Sequence, residues 1–187
     1  MDEDLHRAFF ALVPPPAAIE RLRYLQSLLK NTGAFAKWER PEKFHCTLAF
    51  LGPTPYGWLR TAAAELPARL PRGPYTVRID RCGLFPSEGR PTVLWFGTSS
   101  PSPALDEAAA VIRAYAAANG RSADERTFFP HCTAARAKGK FSPVLIQTAE
   151  TLTFHPFEFP CTDVRLISSH LTAAGSIFTT LFTLPLT

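Results

Sequence analysis

The sequence predicts an α+β fold, on three observations. Strand-like segments outnumber helical ones. Several of them follow one another directly, which a doubly wound parallel sheet does not permit. The chain also repeats itself: His45-Cys46-Thr47 recurs as His131-Cys132-Thr133, 86 residues later. The expected architecture is a bilobal, pseudo-twofold duplication, with two antiparallel sheets and flanking helices around a central cleft. Residues 1–187 form one domain made of two pseudo-symmetric lobes.

The elements follow in order. His6 to Val13 reads as a strand, stopped by Pro14-Pro15-Pro16. Proline is tolerated in the first turn of a helix, so these residues also start one. Ile19, Leu22, Leu25 and Leu29 make its apolar stripe, and Gly33 ends it. A strand runs from His45 to Leu51 and closes at Gly52-Pro53. A second helix covers Tyr56 to Leu66. Tyr75 to Ile79 alternates apolar and polar, as a half-buried strand does. Thr92 to Phe96 is a near-continuous apolar strand. Leu105, Ala109, Ile112 and Ala116 stripe a third helix, closed by Asn119-Gly120. His131 to Arg136 carries the second motif. Strands are expected near Thr151 to Phe159, Asp163 to Ser168 and Ile177 to Leu184.

The composition narrows the class. Hydrophobic residues make up 46% and charged residues 19% of the chain, which excludes wholesale disorder. No apolar run is long enough to cross a bilayer. Met1-Asp2-Glu3-Asp4 is acidic, unlike the basic start of a secretory signal, so a soluble cytoplasmic protein is expected. Four cysteines in this length do not build a disulfide framework and are expected as free thiols. A net charge of +4 suits an anionic partner without proving one.

Shifting the first half by the same offset aligns more than the motif. Phe10 meets Phe96, Pro15 meets Pro101, Ala18 meets Ala104, Glu39-Arg40 meets Glu125-Arg126, and Ala49 meets Ala135. Two copies are too few for a solenoid. They suggest two lobes that set their His-Cys-Thr strands facing across one cleft.

Residues i and i+2 of a strand share a face. His45 and Thr47 therefore face the cleft with His131 and Thr133, while Cys46 and Cys132 turn away into the core. Two imidazoles around one space make an acid–base pair, because histidine titrates near neutrality. One takes a proton from water while the other gives one to a leaving oxygen. The threonine hydroxyls can donate to phosphate oxygens, where charge develops in phosphodiester cleavage. The scheme needs no metal and no cofactor. Zinc is disfavoured, because adjacent His and Cys point to opposite faces and neither C-x₂-C nor H-x₃₋₅-H spacing occurs. The same geometry removes the cysteines as nucleophiles. Arg136, Lys138 and Lys140 form a basic run, ordinarily a solvated face, which beside a phosphate site can also follow a polyanion.

The paired motifs, His45-Cys-Thr-Leu48 and His131-Cys-Thr-Ala134, resemble the signature of the 2H phosphoesterases. Arg7-Ala-Phe-Phe-Ala-Leu12, Trp38, Arg40-Pro41-Glu42 and Phe50-Leu51-Gly52 are similar to the RNA 2′,3′-cyclic phosphodiesterase branch. So are Gly83-Leu-Phe-Pro86, Arg90-Pro91, Val93-Leu-Trp95, Phe129-Pro130 and Arg136. That branch is also called the bacterial and archaeal 2′-5′ RNA ligase family. The resemblance implies a bilobal α+β fold and hydrolysis of an RNA terminal 2′,3′-cyclic phosphate to a 2′-phosphomonoester. It implies His45 as general acid, His131 as general base, Thr47 and Thr133 as phosphate holders and Arg136 as a cationic contact. It also implies reversible 2′-5′ joining of tRNA halves. A monomer with no membrane association is expected. Rival readings are a related activity on small cyclic nucleotides or ADP-ribose cyclic phosphate, and a non-catalytic binder of RNA ends. Two departures stand out. Ala134 replaces a bulkier aliphatic residue, and Ser168-Ser169-His170-Leu171 stands where the family tends toward Glu-Ser-Arg/Lys-Leu.

Overall fold

The chain changes from strand to helix where proline dictates. In order, the elements are β1 (Leu5–Leu12), α1 (Pro16–Lys30), β2 (Lys37–Trp38), β3 (Cys46–Pro55), α2 (Tyr56–Glu65), β4 (Tyr75–Ile79), β5 (Arg81–Ser87), β6 (Arg90–Gly97), α3 (Pro103–Ala118), β7 (His131–Arg136), α4 (Pro143–Thr151), β8 (Phe157–Cys161), β9 (Asp163–Thr172) and β10 (Gly175–Pro185). α1, α3 and α4 each begin on a proline, whose missing N–H would have been an orphan there. The computed structural model describes residues 4–87, 89–100, 102–123, 127–173 and 175–186. Pro101 and Glu125-Arg126, members of the expected repeat alignment, lie outside the described residues.

The strands form one antiparallel run, β10-β9-β1-β3, and a second, β7-β6-β5. A single residue pair joins them, Cys46 with Cys132, between β3 and β7. Further along β7, β2 pairs with it through Lys37–Arg136 and Trp38–Ala135. A separate two-stranded sheet pairs β4 with β8. The α+β class and the antiparallel sheets thus agree with the sequence. The outer strands come from unexpected places: β9 from the C-terminal part completes the run holding β1, and β5 completes the run holding β6.

The ladder registers refine the internal repeat. In one run Ala11 pairs with Thr47, Phe10 with Ala49 and Phe9 with Phe50. In the other Trp95 pairs with Thr133, Leu94 with Ala135 and Val93 with Arg136. β7 therefore matches β3 at the expected offset, but Phe10 matches Leu94 rather than Phe96. The ungapped alignment slips by two residues because the connections through the helices differ in length. A bulge falls at the same place in both ladders and leaves Leu48 and Ala134 as the extra residues. Beyond it, Phe50 and Arg136 return to the face that carries Thr47 and Thr133.

Other boundaries move for local reasons. β3 does not stop at Gly52-Pro53. Gly52 takes φ +69 at a second bulge, and the strand continues to Pro55. Proline costs no ladder bond there, because that edge of β3 is unpaired past Cys46. The strand expected from Thr151 begins only at Phe157, and Thr151 instead ends α4. Ser142 caps α4 by accepting the Leu145 N–H at 3.3 Å.

Buried side chains lie on both faces of the sheet. The larger cluster packs Leu22, Leu25, Leu29, Leu105 and Ile112 of the helices against one face. A smaller cluster of Phe9, Ala11 and Ile167, with Phe50 and Phe178 against it, covers part of the other. That second face is the one bearing His45.

Candidate active site

His131 opens β7 and His45 immediately precedes β3, and each is held by the backbone two residues upstream. His45 Nδ1 lies 2.6 Å from the Lys43 carbonyl oxygen, and His131 Nδ1 lies 2.7 Å from that of Phe129. A carbonyl only accepts, so Nδ1 carries the hydrogen in both rings. In its neutral form each ring therefore keeps its lone pair on Nε2. Lys43 closes a single 3₁₀ turn, Pro41–Lys43, which aims its carbonyl at the ring.

The Cys46–Cys132 pair fixes the rest. In an antiparallel pair the next residues lie crosswise, His45 toward Thr133 and Thr47 toward His131. All four share the face opposite the cysteines. In a regular ladder such opposite residues are about 4.5–5.5 Å apart, and His45 and His131, as diagonal neighbours, about 7–8 Å. Cys46 and Cys132 are 1% and 0% exposed, as expected. Burial pushes the Cys46 thiol up to about 12 and raises Cys132 as well, so neither is a ready nucleophile. The hydroxyls of Thr47 and Thr133 have no hydrogen-bond partner among the described residues and are available to a ligand.

Aromatic rings bed both imidazoles. His45 lies 5.0 Å from Phe9 and meets Phe178 edge-on at 5.2 Å, centroid to centroid. His131 meets Phe85 edge-on at 4.9 Å, with Trp95 and Phe129 at 6.4 Å and 6.3 Å. Trp95 lies flat over its cross-strand partner Gly83. A Cβ on Gly83 would sit 2.2 Å from the indole. Sequence reading missed these beds, although Phe9, Phe85 and Trp95 stand at alternate positions of apolar strands.

Burial lowers the His45 pKa to about 4. The bond to Lys43 opposes that shift, and the positive charges of His131 and Arg136 lower it further. His45 is thus neutral at pH 7 in the unliganded protein. It also senses His131 and Arg136 directly, which brings three of the sequence-predicted site residues within one electrostatic neighbourhood. Arg136 itself is exposed.

Arg7 is a further cation on this face. Its guanidinium lies 4.6 Å from the Phe50 centroid, and Nη1 donates to Ser169 Oγ at 3.3 Å. The other histidines fall outside the site. His6 bonds to Ser168 and Asp4, while His155 and His170 are exposed. Phe44 is core, 1% exposed. Among the described residues, no three His, Cys, Asp or Glu side chains converge as metal ligands. Two surface hollows, of about 610 Å³ beside Tyr56 and Trp58 and about 490 Å³ beside Pro14 to Pro16, contain neither motif histidine.

A family model described as LigT like Phosphoesterase matches residues 13–95, which include the first motif. A Methanothermobacter thermautotrophicus protein named RNA 2′,3′-cyclic phosphodiesterase is 30% identical over 182 residues, covering 92% of this chain and 95% of that protein. The chain belongs to the LigT-like phosphoesterase family. An Aeropyrum pernix protein with the same name is 29% identical over 173 residues, 88% of this chain and 94% of that one. The crystal structure of E. coli LigT in apo form matches with a TM-score of 0.77 and 25% identity, covering 100% of this chain and 99% of LigT. Membership makes this chain an enzyme of the phosphodiesterase class. Among the described residues no helix is long and apolar enough to cross a membrane.

Proposed function

We propose that this enzyme hydrolyses the 2′,3′-cyclic phosphate at an RNA end to a 2′-phosphomonoester. One observation carries the reading: two imidazoles with Nδ1 pinned to a carbonyl, and two threonine hydroxyls, share one face around the Cys46–Cys132 pair. The cyclic phosphate enters between the histidines. Thr47, Thr133 and the Arg136 guanidinium hold its non-bridging oxygens. Water attacks phosphorus, and His131 Nε2 takes its proton. The bond from phosphorus to the 3′ oxygen breaks, and His45 Nε2 gives that oxygen a proton. The net change is one water added, one P–O bond exchanged and one proton passed from each side.

The neutral resting state of His45 fits this role in one way. The incoming anion offsets the repulsion from Arg136 and raises the His45 pKa, so the acid is loaded as substrate binds. The developing charge then meets donors already in place. With a 5′-hydroxyl in place of water as the nucleophile, the same step, P–O3′ bond broken and 3′ oxygen protonated, joins tRNA halves through a 2′-5′ bond. The reading takes the chain as one unit of two pseudo-symmetric lobes, acting as a cytoplasmic monomer without cofactor.

The deciding test is turnover of an oligoribonucleotide ending in a 2′,3′-cyclic phosphate. A 2′-monoester product that His45→Ala abolishes supports the proposal. A 3′-monoester product, or turnover confined to small cyclic nucleotides, refutes it. Turnover is expected to survive EDTA; loss to the chelator and rescue by zinc would replace the acid–base pair with a metal.

A further inference from the structure

We propose that Arg136, Lys37, Lys138 and Phe35 form a track that holds the RNA chain behind its terminal phosphate. The inference rests on the proposed activity and adds the recognition of a polymer rather than a mononucleotide.

The track follows from strand periodicity. Ala34, Ala36 and Trp38 are partly buried against the core, so Phe35 and Lys37, both exposed, face the other way. Lys37 pairs across the ladder with Arg136. Continued by two residues in each direction, the antiparallel register sets Phe35 opposite Lys138. The side chains agree: Lys138 Nζ lies 5.1 Å from the Phe35 centroid. The cross-strand pair Lys37–Arg136 and the Phe35–Lys138 contact just beyond the strand ends thus form one patch next to the face that carries Thr133. From Thr133 through the end of the strand at Arg136 to Lys138 the chain can span roughly 15 Å, the length of a few nucleotides.

The patch has the chemistry of a single-stranded nucleic-acid surface. Phe35 is 72% exposed, more than any other large apolar side chain among the described residues. An exposed ring beside cations offers a base a stacking platform and its phosphates a counter-charge. Lys37, Lys138 and Arg136 have no carboxylate partner among the described residues. The Lys37 ammonium lies beside Gly175, 3.3 Å from where a Cβ would stand, so it reaches toward the β9–β10 turn of the other run. Glu39 is the nearby acid in sequence, and its carboxylate accepts the Arg40 N–H at 3.4 Å.

The experiment compares two substrates on the full chain: an oligoribonucleotide of about eight nucleotides ending in a 2′,3′-cyclic phosphate, and a mononucleoside 2′,3′-cyclic phosphate. The variants are Phe35→Ala and the double change Lys37→Gln with Lys138→Gln. Each is expected to lower kcat/KM on the oligomer about tenfold, through KM, and to change the mononucleotide less than twofold. The salt dependence of oligomer binding should become shallower by about 1.4 in log–log slope for the double variant. Equal losses on both substrates, or none on either, would reduce the patch to an ordinary solvated face. Affinity for the same oligomer ending in a 2′-phosphate reads the track without chemistry. Variant-sensitive binding with no wild-type turnover would sink the proposed activity and leave the track standing.

Discussion

His45 illustrates how burial sets a catalytic group. Its ring trades water for Phe9 and Phe178 and loses its charge at neutral pH. Three outcomes follow for single residues. First, His45→Ala and His131→Ala should each remove nearly all turnover, and the double variant should be little worse, because the two rings act in one step. Additive losses would mean independent roles. Second, kcat/KM reports the free enzyme and kcat the complex. If bound phosphate loads His45, the falling alkaline limb of kcat lies at higher pH than that of kcat/KM. Coincident limbs would contradict substrate-driven protonation. Third, the folded pKa of about 4 lies below the unfolded 6.5, so the unfolded chain binds the proton first as pH falls. Stability is then full above pH 6.5 and falls toward pH 4, by about 3 kcal/mol from this residue. Urea unfolding at pH 7 and 4.5 should show His45→Gln losing less on acidification than the native chain. Equal losses would assign the acid sensitivity elsewhere.

Strands and turns position these residues, and one glycine shows how tightly. Trp95 occupies the volume where a side chain on Gly83 would stand. Gly83→Ala must displace the indole from beneath His131, at a cost of about 1–3 kcal/mol. We expect Tm to fall by about 5 °C, a change in tryptophan fluorescence, and a loss in kcat larger than any change in KM. An unchanged Tm would mean that the indole moves freely. The sequence made the elements that carry a strong period legible. Leu22, Leu25 and Leu29 stripe α1, and Leu105, Ala109 and Ile112 stripe α3. It also exposed the paired motif, because identical triplets in matching strands need no alignment. It hid α4, whose signal is only a Ser-Pro start and a short stripe of Leu145 and Ala149. It hid β5, which is interrupted by Gly83 and Pro86. It misaligned Phe10 because an ungapped shift cannot absorb helical connections of unequal length. The aromatic beds escaped notice because ring contacts join β1, β3 and β10 in one run and β5 and β6 with the Phe129 segment in the other. These pairings are set by tertiary register, and no local pattern encodes them.

At the scale of the whole molecule, each strand run carries half of the proposed site. One bears His45, Thr47 and Arg7, the other His131, Thr133 and Arg136. Helices cover the opposite face of the sheet. Among the described residues, Cys46–Cys132 is the one ladder pair that joins β3 to β7. A joint one residue wide should resist twisting less than a continuous ladder, so we expect the gap between the two imidazoles to be adjustable, like jaws. Bulk beneath the joint should spread them, and a phosphate above it should draw them together. Cys132→Phe should therefore depress kcat while sparing the Nδ1 hydrogen bonds that orient each ring, whereas Cys132→Ala should leave turnover near native. A native rate in the phenylalanine variant would mean that the jaws are locked.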